Sequence, residues 1–298
     1  MIGPASTARG IATMTLGFLL LGIQPVFVKL TIDHGWSSAE TVAVRFATAL
    51  VLVGAVAAYS GQSLRTQQPV VWMLRGLLGG LAVLLYFESV RLAGAGLGTL
   101  LNYTYPIWAN LLSFVIGERP SRSIWLALPL AIGGTILVVQ PSAAGGIGVG
   151  ELCGLGSSVL AGAAIVCIKR LRRTDGELTI IASFSSVGLL LSAPLLIGRT
   201  SSAASAGAAP SAWGFALLVG LLSFYGHVYF TRGYKETSIQ LGTVLSLIVP
   251  ALATVSGALI LGERFAPSAL AGGGLIAAAV LLVAARERMV HLKRQRHA

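Results

Sequence analysis

Charge is what this sequence has least of. Only 10% of its 298 residues are charged and 55% are hydrophobic, where a soluble domain carries about 25% charged residues. A water-soluble globule is excluded, and an integral membrane protein is implied. Acids are the scarcer sign, with 10 Asp and Glu against 21 Lys and Arg and a formal net charge of +11. That excess would fit nucleic acid only if it were clustered on a face. Most of it stands in short connectors and in the C-terminal tail, so it reports membrane orientation, and no nucleic-acid partner is expected. Cysteine is nearly absent. Cys153 and Cys167 fall on one predicted helix, about 21 Å apart at 1.5 Å per residue, so they cannot bridge each other. Walker-type phosphate loops, zinc-ligand spacings and nucleophile elbows are missing; no catalytic residue, metal site or cofactor is expected. The connectors leave no room for a soluble domain, and the apolar segments lack the two-residue alternation of a β-barrel.

What is there is a series of ten apolar segments, each near the roughly 20 residues that a crossing needs. They run approximately over 10–32, 39–59, 71–91, 96–116, 123–140, 150–171, 178–198, 211–233, 240–261 and 267–285. The first is too long for a signal-peptide core and lacks a clear cleavage site, so it reads as a helix. The stretch from Gly198 to Pro210, rich in Ser, Ala and Gly, reads as a loose loop. With both termini cytoplasmic, 16 Lys and Arg fall on the inner side, Arg65 and Arg75 among them, against three on the outer side (Arg91, Arg199 and Arg264). The excess of basic residues inside predicts N-in, C-in.

The chain also repeats itself. Gly22 and Lys29 recur as Gly162 and Lys169, 140 residues on; Leu97-Gly98-Thr99, Leu101 and Pro106 recur at a spacing of 144, and Gly117-Glu118-Arg119 recurs as Gly262-Glu263-Arg264 at 145. Five segments per half is an odd number, so the second half enters the membrane from the opposite side. The expected fold is an all-α membrane protein of ten transmembrane helices in two inverted five-helix repeats, residues 1–146 and 147–298, with a central site as in secondary transporters.

Segment four carries the densest polarity. Pro106 has no N–H and displaces the carbonyl of Asn102, four residues before it; a carbonyl freed in a bilayer must face protein or water. Asn102, Pro106 and Asn110 share a helical face at i, i+4, i+8, with Tyr105 beside them and Trp108 near mid-helix. Such polar groups read as substrate-binding residues, with bonding to a neighbouring helix as the alternative. Pro250 is expected to free the carbonyl of Ser246 in the same way. Gln24 in segment one, Tyr86 in segment three and His227 in segment eight complete the candidate site; His227 reads equally as a titrating group or as a structural one. Lys29, Arg45 and Glu88 are expected at similar depth in the outer half, as a gate or charge cluster, or else as structural ion pairs.

Two five-helix repeats, a proline midway along the fourth helix of each and the paired Gly-Glu-Arg endings resemble the drug/metabolite transporter superfamily in its ten-helix EamA-like form, over nearly the whole chain. Asn102-Tyr103-Thr104-Tyr105-Pro106 resembles the Asn-Tyr-x-aromatic-Pro run of the YddG-type aromatic amino-acid exporters, and Lys29 sits where that branch carries a basic residue. The resemblance implies an inner-membrane exporter of small amphipathic metabolites, amino acids including aromatic ones, acting as a monomer among lipids by alternating access. With no nucleotide-binding motif, it would run on a gradient. A multidrug or other metabolite exporter of the same superfamily is the alternative within that class; a channel-like pore or a membrane sensor lies outside it. One departure stands out. Pro106 lies 12 residues before Glu118, whereas Pro250 lies 13 before Glu263, which predicts a different helix phase after the two prolines.

Overall fold

The computed structural model describes residues 4–117, 126–127, 129–130, 133–134, 137, 147–196, 210–237 and 239–296. Glu118, Arg119, most of predicted segment five and most of the loop from Gly198 lie outside the described residues. In chain order the helices are α1 (Pro4–Asp33), α2 (Ser38–Ser60), α3 (Pro69–Ala93), α4 (Ala95–Asn102), α5 (Tyr105–Leu112), α6 (Val149–Leu171), α7 (Glu177–Leu196), α8 (Pro210–Gly233), α9 (Ile239–Leu245), α10 (Ile248–Leu261) and α11 (Pro267–Arg296). No strand occurs among the described residues. Six of these helices (α1, α2, α3, α6, α7 and α8) are long and apolar enough to cross a membrane.

Local chemistry sets the ends. Ser37 and Glu40 cap α2 reciprocally, and Gly61, at φ 66°, closes it. Pro69, Pro210 and Pro267 open α3, α8 and α11, where a missing N–H leaves nothing unpaired.

Segments four and nine depart from expectation. Each is two helices rather than one helix bent at a proline. α4 stops at Asn102 and α5 starts at Tyr105; α9 stops at Leu245 and α10 starts at Ile248. A continuous helix would drive each proline ring into the carbonyl four residues back. Breaking the helix puts Pro106 and Pro250 in a first turn, where N–H groups have no intrahelical partner to lose. The chain's own groups seal the gaps. The Tyr103 N–H donates to the Thr99 carbonyl (2.9 Å), and the Thr104 hydroxyl to that of Leu101 (2.9 Å). At the second break the Ser246 N–H donates to Gly242 (3.0 Å) and its hydroxyl to Thr243 (2.8 Å). The Ser246 carbonyl is therefore not freed; it accepts the Val249 N–H at 3.0 Å.

The one-residue difference after the prolines is absorbed as length. α5 passes into a 3₁₀ turn, Ser113–Ile116, before Gly117 at φ 82°, while α10 stays α-helical up to Gly262 at φ 67°. A 3₁₀ turn rises about 2.0 Å per residue against 1.5 Å, so four residues cover roughly the span of five.

Packing is dense where glycine allows it. α1 lies along α8 and crosses α10; α3 lies along α6 and α7; α2 packs on α7 and α8; α4 and α5 lie on α6, and α4 also meets α10. A Cβ on Gly17 of α1 would sit 2.7 Å from the Gly226 carbonyl of α8, and one on Gly162 of α6 would sit 2.5 Å from the Cβ of Trp108. Side chains at either position would push these helices apart.

The second Gly-Glu-Arg ending has a visible purpose. Gly94 leaves the start of α4 without a side-chain cap. The Glu263 carboxylate supplies one from the other end of the chain, accepting the N–H groups of Ala95 (2.6 Å) and Gly96 (2.9 Å). Glu263→Ala is expected to cost about 1–2 kcal/mol of stability, seen as a lower melting midpoint in detergent. An unchanged midpoint would show that the cap carries no stability.

Candidate functional site

Between α1, α2, α3, α6, α7, α8 and the α4–α5 break lies a cavity of about 110 Å³. One water needs about 10–15 Å³ of such space, so the cavity admits several waters or a small solute. On α3, Arg75, Gly79, Ala82, Val83 and Tyr86 line it; their spacing of i, i+4, i+7, i+8 and i+11 makes one helical face. α1 contributes Phe18, Leu21 and Gln24, and α2 contributes Arg45. The break presents Asn102, Tyr103 and Tyr105. Phe184 of α7 and His227 and Phe230 of α8 close the aromatic side.

The polar groups are held from behind. Ser223 of α8 is a node: its hydroxyl accepts from Arg45 Nε (2.5 Å) and from Gln24 Nε2, while its carbonyl accepts from His227 Nδ1 at 2.8 Å. Because a carbonyl only accepts, this bond fixes the proton of the neutral ring on Nδ1. The Tyr86 hydroxyl pairs with that of Thr99 (2.8 Å). Asn102 Nδ2 donates to the Ser157 hydroxyl (2.5 Å), which donates on to the Ala82 carbonyl (2.8 Å). The two guanidinium groups share one ring. Arg45 lies 4.9 Å and Arg75 4.3 Å from the centre of Phe184.

Six residues singled out in the sequence therefore meet at one cavity: Gln24, Arg45, Tyr86, Asn102, Tyr105 and His227. Four others do not. Asn110 donates within its own segment to the Pro106 carbonyl (2.7 Å) and lies 3.4 Å from Thr243 Oγ1. Its expected face was reckoned on a continuous helix, and the break at Tyr103–Thr104 destroys that phase. Trp108 packs on α6 and donates Nε1 to Ser158 at 3.2 Å. The expected cluster of Lys29, Arg45 and Glu88 does not form. Lys29 pairs with Asp33 one turn on (3.0 Å), Glu88 pairs with Arg91, and Arg45 is buried at the cavity. Equal expected depth said nothing about face, and the half-buried Lys29 and Glu88 each found a nearer partner on its own helix.

Sequence reasoning missed Arg75, Tyr103, Phe184 and Phe230 as cavity residues. Arg75 was counted only among the inner-side charges, yet it is 4% exposed. Stepping back from Tyr86 by seven and eleven residues along one helical face would have reached Gly79 and Arg75.

A multi-pass helical protein enclosing a partly polar cavity has the makings of a membrane transporter. The EamA-like transporter family matches residues 8–140 and 148–285. The chain belongs to that family, within the drug/metabolite transporter superfamily. It is 26% identical over 245 residues to the pseudopaline exporter CntI of Pseudomonas aeruginosa (strain UCBPP-PA14), covering 82% of this chain and 85% of that one. It is 29% identical over 207 residues to an uncharacterized transporter of Archaeoglobus fulgidus, covering 68% of this chain and 72% of its relative. A crystal structure at 20% identity shares the fold with a TM-score of 0.66, over 94% of this chain and 98% of that chain.

The geometry separates the two asparagines. Asn102→Leu is expected to weaken substrate binding about five- to hundredfold, the loss of one or two hydrogen bonds in a closed site. Asn110→Leu and Trp108→Ala should leave affinity, and the preference between aromatic and small substrates, unchanged. Binding isotherms on the three purified variants check this; equal losses at Asn102 and Asn110 would sink the assignment.

Proposed function

We propose that this EamA-family membrane transporter exports small amphipathic metabolites, amino acids including aromatic ones among them, by alternating access through the central cavity. One observation carries the reading: the cavity draws its walls from both halves of the chain and combines aromatic rings with buried hydrogen-bonding groups. That mixture suits a substrate with an apolar body and a polar head. Similarity to an exporter supports the direction of transport. The protein is placed in the inner, cytoplasmic membrane with both termini cytoplasmic, as the distribution of Lys and Arg favours.

The same proposal takes the architecture as two inverted repeats of five helices, residues 1–146 and 147–298. The packing supports it. Exchanging α1 with α6, α2 with α7, α3 with α8 and α4–α5 with α9–α10 turns the α1–α8 contact into α3–α6, and the α2–α8 contact into α3–α7; the α1–α10 contact becomes α5–α6. Gly22 packs against Leu252, two residues past Pro250, as Gly162 packs against Trp108, two past Pro106. The two halves then rock about the cavity between them.

Counterflow in proteoliposomes tests the function. Unlabelled phenylalanine inside is expected to drive saturable uptake of the labelled compound, with smaller amphipathic amino acids competing. Non-saturable flux that scales linearly with concentration would replace the carrier by a pore. Orientation is tested in cells with Cys153 and Cys167 removed: an impermeant maleimide is expected to label His34→Cys from outside and to leave Gln62→Cys untouched. The reverse pattern would invert the topology.

A further inference from the structure

The cavity holds two buried cations and no acid among the described residues that line it. Arg45 is 2% exposed and Arg75 4%. They come from different helices, α2 and α3, and both lie over the Phe184 ring. Neither forms an ion pair with a described acid. Asp33 is taken by Lys29, Glu88 by Arg91, and Glu177 by Arg172 and Arg232. Glu40 and Glu263 cap helices. Asp175 accepts from Thr66 and from the Gln67 N–H.

The guanidinium groups are also short of hydrogen bonds. Each has five N–H donors, yet Arg45 Nη1 and Arg75 Nε have no partner. Arg75 folds back along α3 over Gly79, where a Cβ would collide with its Nη1; the missing side chain makes room for the charge. Attraction to a ring face is small against the penalty of burying two like charges. A fold does not keep such a pair for stability, because apolar residues in their place are often neutral or better. The two guanidinium carbons lie 4.9 and 4.3 Å from the centre of one ring, both groups line the same cavity, and a guanidinium fork matches a carboxylate, which accepts it bidentately.

We propose that Arg45 and Arg75 form a clamp for a carboxylate, so that the metabolite carried has an apolar or aromatic body and at least one carboxylate presented to the arginines, with any ammonium group held away from them. This deepens the transport reading above, on which it rests, by naming the charge class of the substrate. The body lies against Phe184, Phe230 and Tyr105. The carboxylate sits by the two guanidinium groups, and Arg45 is held in place by Ser223, to which Gln24 also donates. An ammonium group placed there would face two cations.

The test keeps one ring and varies only the charge. Purified protein in lipid nanodiscs is titrated with 3-phenylpropionate, its amide 3-phenylpropanamide, phenylalanine and 2-phenylethylamine, up to millimolar concentrations. Binding is read by thermal shift and by isotherm. The acid is expected to bind at least about tenfold more tightly than its amide, the value of one charged hydrogen bond or more, and the amine to bind least. Arg45→Met or Arg75→Met should erase the difference between acid and amide. In the ligand-free state Arg75→Met should also raise the melting midpoint, since one of two like buried charges is gone.

Equal binding of acid and amide by the unaltered protein would overturn the clamp, as would the absence of binding by any of the four. So would an Arg75→Met variant that melts lower and still prefers the acid, which would make the arginine a packing residue. Counterflow of the same compounds separates this from the transport reading. Saturable flux without anion preference leaves the carrier and removes the clamp. Acid-selective binding that the variants lose, with no flux of any compound, leaves the clamp and removes the carrier.

Discussion

An apolar surrounding tolerates no unpaired backbone, and that constraint governs how this chain is built. A helix satisfies itself along its length; a helix break does not, and must be closed by other groups or buried against protein. Two such breaks occur among the described residues, each just ahead of a proline. At each, a hydroxyl within the two-residue gap bonds back to the preceding turn, Thr104 to Leu101 and Ser246 to Thr243. Asn110 does related work further on, accepting the task of pairing with the Pro106 carbonyl. Because the gaps are sealed from within, they need no lipid-facing partner and can be brought to the middle of the helix pack. The first break there presents Asn102, Tyr103 and Tyr105 to the cavity.

The same constraint decides what could be read from the sequence. Segment positions followed from hydropathy, and the prolines marked where helices would fail, since a ring without an N–H has few places to go. The polar candidates Gln24, Asn102 and His227 were legible because amide and imidazole groups amid apolar residues need a reason to be there. Rotation was harder. Asn110 was assigned to the face of Asn102 by counting in steps of four, a rule that holds only while the helix is unbroken. One irregular turn at Tyr103–Thr104 makes the count meaningless beyond it.

Charged residues show the other limit. Arg75 stands six residues after the proline that opens α3, close enough to a boundary to pass for a connector charge. Hydropathy gives the depth of a residue and says nothing about which side of the helix it occupies. Lys29 and Glu88 illustrate the converse: they were expected at the depth of Arg45, yet each has an opposite charge within one turn of its own helix, and a local pair wins over a distant one. The aromatic wall was invisible for a plainer reason. Phe184 and Phe230 look like any other apolar residues until the packing of α7 on α2 and α3, and of α8 on α1 and α2, turns them to the same space.

Ser223 ties these strands together. It sits on α8, bonds Gln24 of α1 and Arg45 of α2 through its hydroxyl, and holds His227 of its own helix through its carbonyl. A helix shift that opened α1 from α8 would break the Gln24 bond, and one that moved α2 would release Arg45. The cavity's polar wall is therefore coupled to the interfaces that any rocking of the two halves must disturb. Occupancy of the arginines bears on those interfaces, because a guanidinium with its charge matched no longer relies on one serine for its position. Such a node is where a substrate's charge can favour one arrangement of the helices over another.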